Sequence, residues 1–108
     1  MDEVVRKVAA LGLPGIILVI TMATTGFTGA AAITAALAFL GPGGILGGIA
    51  LLGVTGLITE ALAKGGIEQL LLAVYRDRAQ SESRTNLLKE IDRLPISTEL
   101  KRFLRAEL

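Results

Sequence analysis

The chain has 108 residues, 52% of them hydrophobic and only 4% aromatic, with a formal net charge of +1 and neither cysteine nor histidine. That balance gives no field for nucleic acid and no stacking platform for bases. The two missing residue types remove disulfides, thiolate chemistry, the commonest metal ligands and the near-neutral proton shuttle.

The charges are unevenly placed. After Lys7 the next ionisable side chain is Glu60, leaving 52 consecutive uncharged residues. As helix that run would be roughly 78 Å long at about 1.5 Å per residue, more than twice a ~30 Å hydrocarbon core. All thirteen glycines fall between Gly12 and Gly66. At this length the chain reads as one domain, 1–108, with an apolar Gly/Ala/Thr-rich part over 1–66 and a charged amphipathic part over 67–108. A surface helix needs a wet face, so the uncharged run calls for a bilayer or an assembly around it.

In chain order, Met1 to Leu11 reads as a short amphipathic helix. Val4, Val5, Val8 and Leu11 recur at three- and four-residue spacing, and Asp2 and Glu3 sit at the positive end of its dipole. Pro14 suits the first turn of a second helix, and Ile16 to Thr25 continues it as an apolar run. The charge-balanced first seven residues and the Pro14-Gly15 break do not fit a secretory leader. Gly26 and Gly29 bracket a break before the alanine-rich stretch Ala30 to Leu40. Gly41-Pro42-Gly43-Gly44 is the clearest turn signal, so the flanking helices should fold back as a hairpin. Ile45 to Leu62 forms the next apolar helix, with Glu60 and Lys64 paired at its wet end and Gly65-Gly66 as a left-handed stop.

From Ile67 the pattern becomes ordinary amphipathic helix, with Ile67, Leu70, Leu71 and Val74 on one face and Glu68, Arg76, Asp77 and Arg78 on the other. Gln80 to Ser83 is a polar break. Leu87, Leu88, Ile91 and Leu94 stripe another helix that Pro95 ends, and Ser97 caps a last one whose apolar face is Leu100, Phe103 and Leu104. The expected fold is all-α: a small bundle of about five to six helices around a central Gly-rich apolar hairpin.

Two features of the apolar part invite a function. Gly43, Gly44, Gly47 and Gly48 overlap as small residues four apart, and Gly53 and Gly56 follow. Such spacing lets helix backbones approach closely where lipid removes the hydrophobic drive. A tight hairpin on Ala31, Ala32 and Ala35 and an interface between copies both satisfy it. Thr21, Thr24, Thr25 and Thr28 fall at i, i+3, i+4 and i+7, and Thr55 and Thr59 are four apart. The plain reading is hydroxyls bonded to their own helix carbonyls; the sharper one is a row lining an aqueous pore.

The two strongest runs, 8–25 and 44–59, each hold eight Leu, Ile or Val residues. At roughly −0.3 to −0.6 kcal/mol apiece these give about −2.4 to −4.8 kcal/mol of insertion drive. Glycine, threonine and Pro14 oppose it, so insertion is near-neutral rather than committed. No catalytic constellation emerges. Glu60, Glu68, Asp77, Glu82, Glu90, Asp92, Glu99 and Glu107 alternate with basic residues on what read as solvated faces, and no cofactor or metal is expected.

The run Thr25-Gly26-Phe27-Thr28-Gly29-Ala30-Ala31-Ala32-Ile33-Thr34-Ala35-Ala36-Leu37-Ala38, then Gly41-Pro42-Gly43-Gly44 and Gly47-Gly48-Ile49, resembles the bacterial Bell domain. So does Leu94-Pro95-Ile96-Ser97-Thr98-Glu99-Leu100-Lys101. The resemblance implies an analogue of the fungal HeLo and HeLo-like cell-death domains. It implies an antiphage, abortive-infection effector that permeabilises the inner membrane after triggered assembly, with an upstream immune sensor or protease. Bell proteins often carry an amyloid-signalling motif, and nothing after Ser97 reads as one.

The expectation is therefore a non-enzymatic pore-forming protein, cytoplasmic when inactive and in the inner membrane when active. Lipid and further copies of itself would be its partners, and nucleic acid would not. Nine of the eleven Lys/Arg residues lie at or beyond Lys64, a bias that keeps this end cytoplasmic. Two alternatives stay open: a phage holin-like or other constitutive small membrane protein, and a helical adaptor that never meets lipid.

Overall fold

A computed structural model describes residues 2–26, 29–40 and 53–108. Those residues form six α-helices and no strand: α1 (Asp2–Leu11), α2 (Leu13–Thr25), α3 (Gly29–Leu40), α4 (Thr55–Arg78), α5 (Arg84–Asp92) and α6 (Thr98–Glu107). The all-helical bundle expected from periodicity is the fold observed. The glycine turn at 41–44 and the hairpin around it lie outside the described residues.

The bundle is organised around α2. Six successive residues, Gly15 to Ile20, are buried, and Met22 after them. Six in a row pass more than once round a helix of 3.6 residues per turn, so α2 has no wet face along this stretch. It packs against α1, α3 and α4. Val4 and Val8 supply the inner stripe of α1, Ala32, Ile33 and Ala36 that of α3, and Ile58 and Ala61 that of the first half of α4. Gly15 makes the α1–α2 corner feasible: a Cβ there would stand 2.9 Å from the Val8 carbonyl oxygen and 3.0 Å from the Leu11 Cβ. Pro14 lies in the first turn of α2 as its fixed φ favours, and Gly26 ends the helix by donating its N–H to the Met22 carbonyl at 3.1 Å.

The second half of the chain closes differently. Leu70, Leu71, Val74 and Tyr75 of α4 are buried, with Leu87 and Ile91 of α5 and Leu100 and Leu104 of α6. α6 packs on α4 and on α5. Ser83 and Ser97 each cap the helix that follows, accepting from Asn86 N–H at 3.2 Å and Leu100 N–H at 3.1 Å.

Gly65-Gly66 acts otherwise than its sequence suggests. Instead of stopping a helix in the left-handed conformation, Gly66 takes φ 77° and ψ 173°, and helix resumes at once, so α4 runs 24 residues across a kink. The strong amphipathic pattern from Ile67 restarts the helix without a loop. Among the described residues no helix is long and apolar enough to cross a membrane. α2 is apolar but has only 13 residues, and α4 is long but carries Glu60, Lys64 and Glu68.

The kink makes a paired test. The Gly66 conformation belongs to a region that is essentially glycine-only, so Gly66→Ala should cost about 1–3 kcal/mol in urea unfolding. At Gly65, inside the helix, an added Cβ meets only the Gln69 Cβ at 3.5 Å. Gly65→Ala should therefore stabilise by about 0.5–1 kcal/mol.

Candidate functional site

The threonine row lies on the last turns of α2. Thr21 donates to the Ile17 carbonyl at 2.8 Å, Thr24 to Ile20 at 2.8 Å and Thr25 to Thr21 at 2.6 Å. On α4, Thr59 donates to the Thr55 carbonyl at 3.0 Å. Each of these hydroxyls thus satisfies itself one turn back along its own helix, the plain reading of the spacing. Thr21 is half-buried, Thr24, Thr25 and Thr59 are exposed, and Thr55 is buried. Thr24 opens onto a groove shared with Ala23, Ile67, Glu68, Leu100 and Phe103, which places the end of α2 beside the kink and the last helix.

Of the glycine set, Gly53 and Gly56 are exposed, and nothing lies within 4 Å of where a Gly56 Cβ would stand. Among the described residues Gly56 therefore has no close packing neighbour. Gly43, Gly44, Gly47, Gly48 and Thr28 lie outside the described residues. Of their proposed alanine partners, Ala32 is fully buried, Ala35 half-buried and Ala31 exposed.

The most elaborate polar arrangement involves residues that read as a wet face in sequence. Arg78, at the end of α4, is only 7% exposed. Its Nε donates to Glu82 Oε2 at 2.7 Å and its Nη2 to Glu82 Oε1 at 3.0 Å. Nη1 and Nη2 also reach the two carboxylate oxygens of Glu90 on α5, the latter at 3.0 Å. The fully buried Tyr75 donates its hydroxyl to Glu90 Oε2 at 2.6 Å, and the guanidinium lies 5.4 Å from its ring centroid. Burial opposes the charge on Arg78, but the bonds to Glu82 and Glu90 outweigh it and hold its pKa above the ordinary guanidinium value. Burial, then the bond to Glu90, raises the Tyr75 hydroxyl well above the ordinary phenol range.

The signal for this cluster was in the sequence. Leu71, Tyr75 and Arg78 are spaced four and three apart, so they carry one face of α4 from apolar into charged, and Glu82 follows four residues later in the turn after the helix. The cluster is a clamp between α4 and α5. All three guanidinium nitrogens are bonded to carboxylates, four of the five N–H donors being used. Among the described residues no group of three His, Cys, Asp or Glu could hold a metal ion.

Comparison with protein-family models, with curated proteins and with solved structures finds no match for this chain.

The clamp makes a stability test. Glu90→Ala strips Arg78 of one carboxylate and Tyr75 of its acceptor, and should cost about 2 kcal/mol, with Glu82 still answering the charge. Glu82 itself, hydrogen-bonded to Arg78, titrates below its ordinary value of 4.5. A depressed carboxylate adds stability above its unfolded pKa and loses it as pH falls through the folded one. Urea midpoints should therefore decline below about pH 4.5, and Glu82→Gln should flatten that decline.

Proposed function

We propose that this chain is a membrane-perturbing effector of the Bell type, held as a water-stable bundle until triggered. The observation that supports it most is α2: a helix buried on every side from Gly15 to Ile20, inside a chain of 108 residues. Ordinary small bundles are built from helices with one apolar stripe. A helix without a wet face has two stable surroundings, other helices or lipid.

On this reading the bundle is the resting state. The described helices are too short or too charged to span a bilayer as they stand, so activation requires the segment over residues 12–62 to redraw its helix boundaries. Spanning needs about 20 apolar residues in one helix, and the uncharged run supplies them by joining stretches that glycine now separates. In lipid the glycine faces from Gly43 to Gly56 would bring copies together, and the clamped C-terminal helices would remain at the cytoplasmic surface with most of the basic residues. The resemblance to Bell domains supplies the setting: regulated cell death in antiphage defence, through inner-membrane permeabilisation after oligomerisation.

The test is dye release from vesicles by the purified chain, paired with membrane-potential measurement on induction in bacteria. A triggered effector stays silent until assembly is forced and then releases dye. Depolarisation from the chain alone at once would mark a constitutive, holin-like protein, and no release under any stimulus would mark an adaptor. Gly44→Leu or Gly48→Leu should abolish release, whereas Thr24→Val should leave it unchanged if the hydroxyl serves only its own helix. Undiminished release from the leucine variants would reject the glycine interface.

A further inference from the structure

The outer face of the last two helices carries a charge imbalance that neither the clamp nor the hydrophobic core explains. Thr98, Lys101, Arg102 and Arg105 fall at i, i+3, i+4 and i+7, so they share one face of α6, opposite the buried Leu100 and Leu104. α5 adds Arg84 beside them, and together they line a groove with Asp92 as its one acid. Four cations around one carboxylate leave a local charge of +3. Glu99, three residues before Arg102, flanks this face and lines the neighbouring groove beside Phe103.

Three of the cations are held in place by the fold. Arg105 Nη1 donates to Asp92 Oδ1 at 2.7 Å, Lys101 Nζ to the Asp92 carbonyl at 2.9 Å, and Arg84 Nη2 to the Arg105 carbonyl at 3.4 Å. Arg102 makes no ion pair or hydrogen bond among the described residues, and it is exposed. Packing of α5 on α6 does not call for these charges, since Leu87, Ile91, Leu100 and Leu104 already form the contact. Converging like charges costs free energy unless an anion lies between them.

We propose that this groove binds phosphate-bearing headgroups of an anionic bilayer. Arginine presents a planar donor fork that matches phosphate, and three arginines with a lysine suit an array of phosphates rather than a single one. The groove is open, with Arg84, Arg102 and Arg105 exposed and Leu88 half-buried at its floor. A site for a small soluble phosphate compound encloses most of its ligand, which this groove does not. The inference rests on the membrane reading of the protein and deepens it: the C-terminal helices become the docking element that brings the bundle to an anionic surface before the apolar part rearranges.

The test is co-sedimentation with phosphatidylglycerol vesicles and with phosphatidylcholine vesicles, for the intact chain and for Arg84→Gln/Arg102→Gln. Those two side chains carry the least structural duty in the groove, and circular dichroism checks that the variant stays folded. At roughly fivefold per basic residue, the double variant should bind phosphatidylglycerol vesicles about thirtyfold more weakly. Binding by the intact chain should fall steeply with added salt and be negligible on phosphatidylcholine. Arg6→Gln/Lys7→Gln, which removes the same charge from α1, should bind as the intact chain does.

Equal losses in both double variants, or none in the first, overturn the groove. So does saturable binding of inorganic phosphate that competes with vesicles, since it would make the site one for a free anion. Release of dye by Arg84→Gln/Arg102→Gln at the intact rate, with binding also unchanged, rejects the groove and leaves the membrane function standing. Groove-dependent vesicle binding with no dye release under any trigger keeps the groove and removes the pore.

Discussion

Everything else in this structure follows from having to enclose α2. Ile16, Ile17, Leu18, Val19, Ile20 and Met22 occupy successive directions round one helix, and each side chain is worth about 1.5–3 kcal/mol when withdrawn from water. No single neighbour can cover a cylinder on all sides. α1, α3 and α4 are therefore all required against it, and the chain must turn sharply to supply them. The absence of a Cβ at Gly15 lets α1 fold back within contact of α2, and the small Ala32 and Ala36 line the α3 side. Gly15, Ala32 and Ala36, which look like low-complexity text in sequence, are the packing consequence of a helix buried on every side from Gly15 to Ile20.

The charged half answers a different demand. Its helices are amphipathic in the usual sense, short and capped by Ser83 and Ser97, and their junction with α4 is fixed by Arg78 donating to two carboxylates and Tyr75 donating to one of them. Removing a buried charge from water is costly, and the cost is offset only because the guanidinium finds both glutamates in fork geometry. The clamp engages none of the residues of α1, α2 or α3. Under the proposed function that separation matters, because the C-terminal helices could keep their arrangement while the apolar segment changes its surroundings.

Legibility from sequence tracks how local the determining physics is. The first helix, the Pro14 restart, the Gly26 end and the Ser97 cap are set within four or five residues, and periodicity and capping chemistry locate them. Gly66 reads as a stop because glycine after an apolar run usually is one. Continuation is decided instead by Leu70, Leu71, Val74 and Tyr75, which have a core to face on the far side of the kink. Glu82 and Glu90 read as solvated because their partner sits 4 and 12 residues away, and the longer reach crosses between helices. The threonine spacing exposed the row but not its use, since hydroxyls that line water and hydroxyls that serve their own helix have one sequence pattern.

That last ambiguity carries a physical meaning. Thr21, Thr24 and Thr59 bond backward to a carbonyl three or four residues earlier, so these bonds travel with the helix. A serine or asparagine reaching across to a neighbour would tie α2 to the bundle; a charged residue would tie it to water. With neither present between Lys7 and Glu60, burial of Ile16 to Ile20 and Met22 is a large part of what holds α2 in place, and under the proposed function burial in lipid would be of the same kind. Under the proposed function, the barrier between the two environments would lie in the backbone breaks, where helix would have to be extended through glycine such as Gly26. On the same reading, what loosens the packing around α2 would be what releases it.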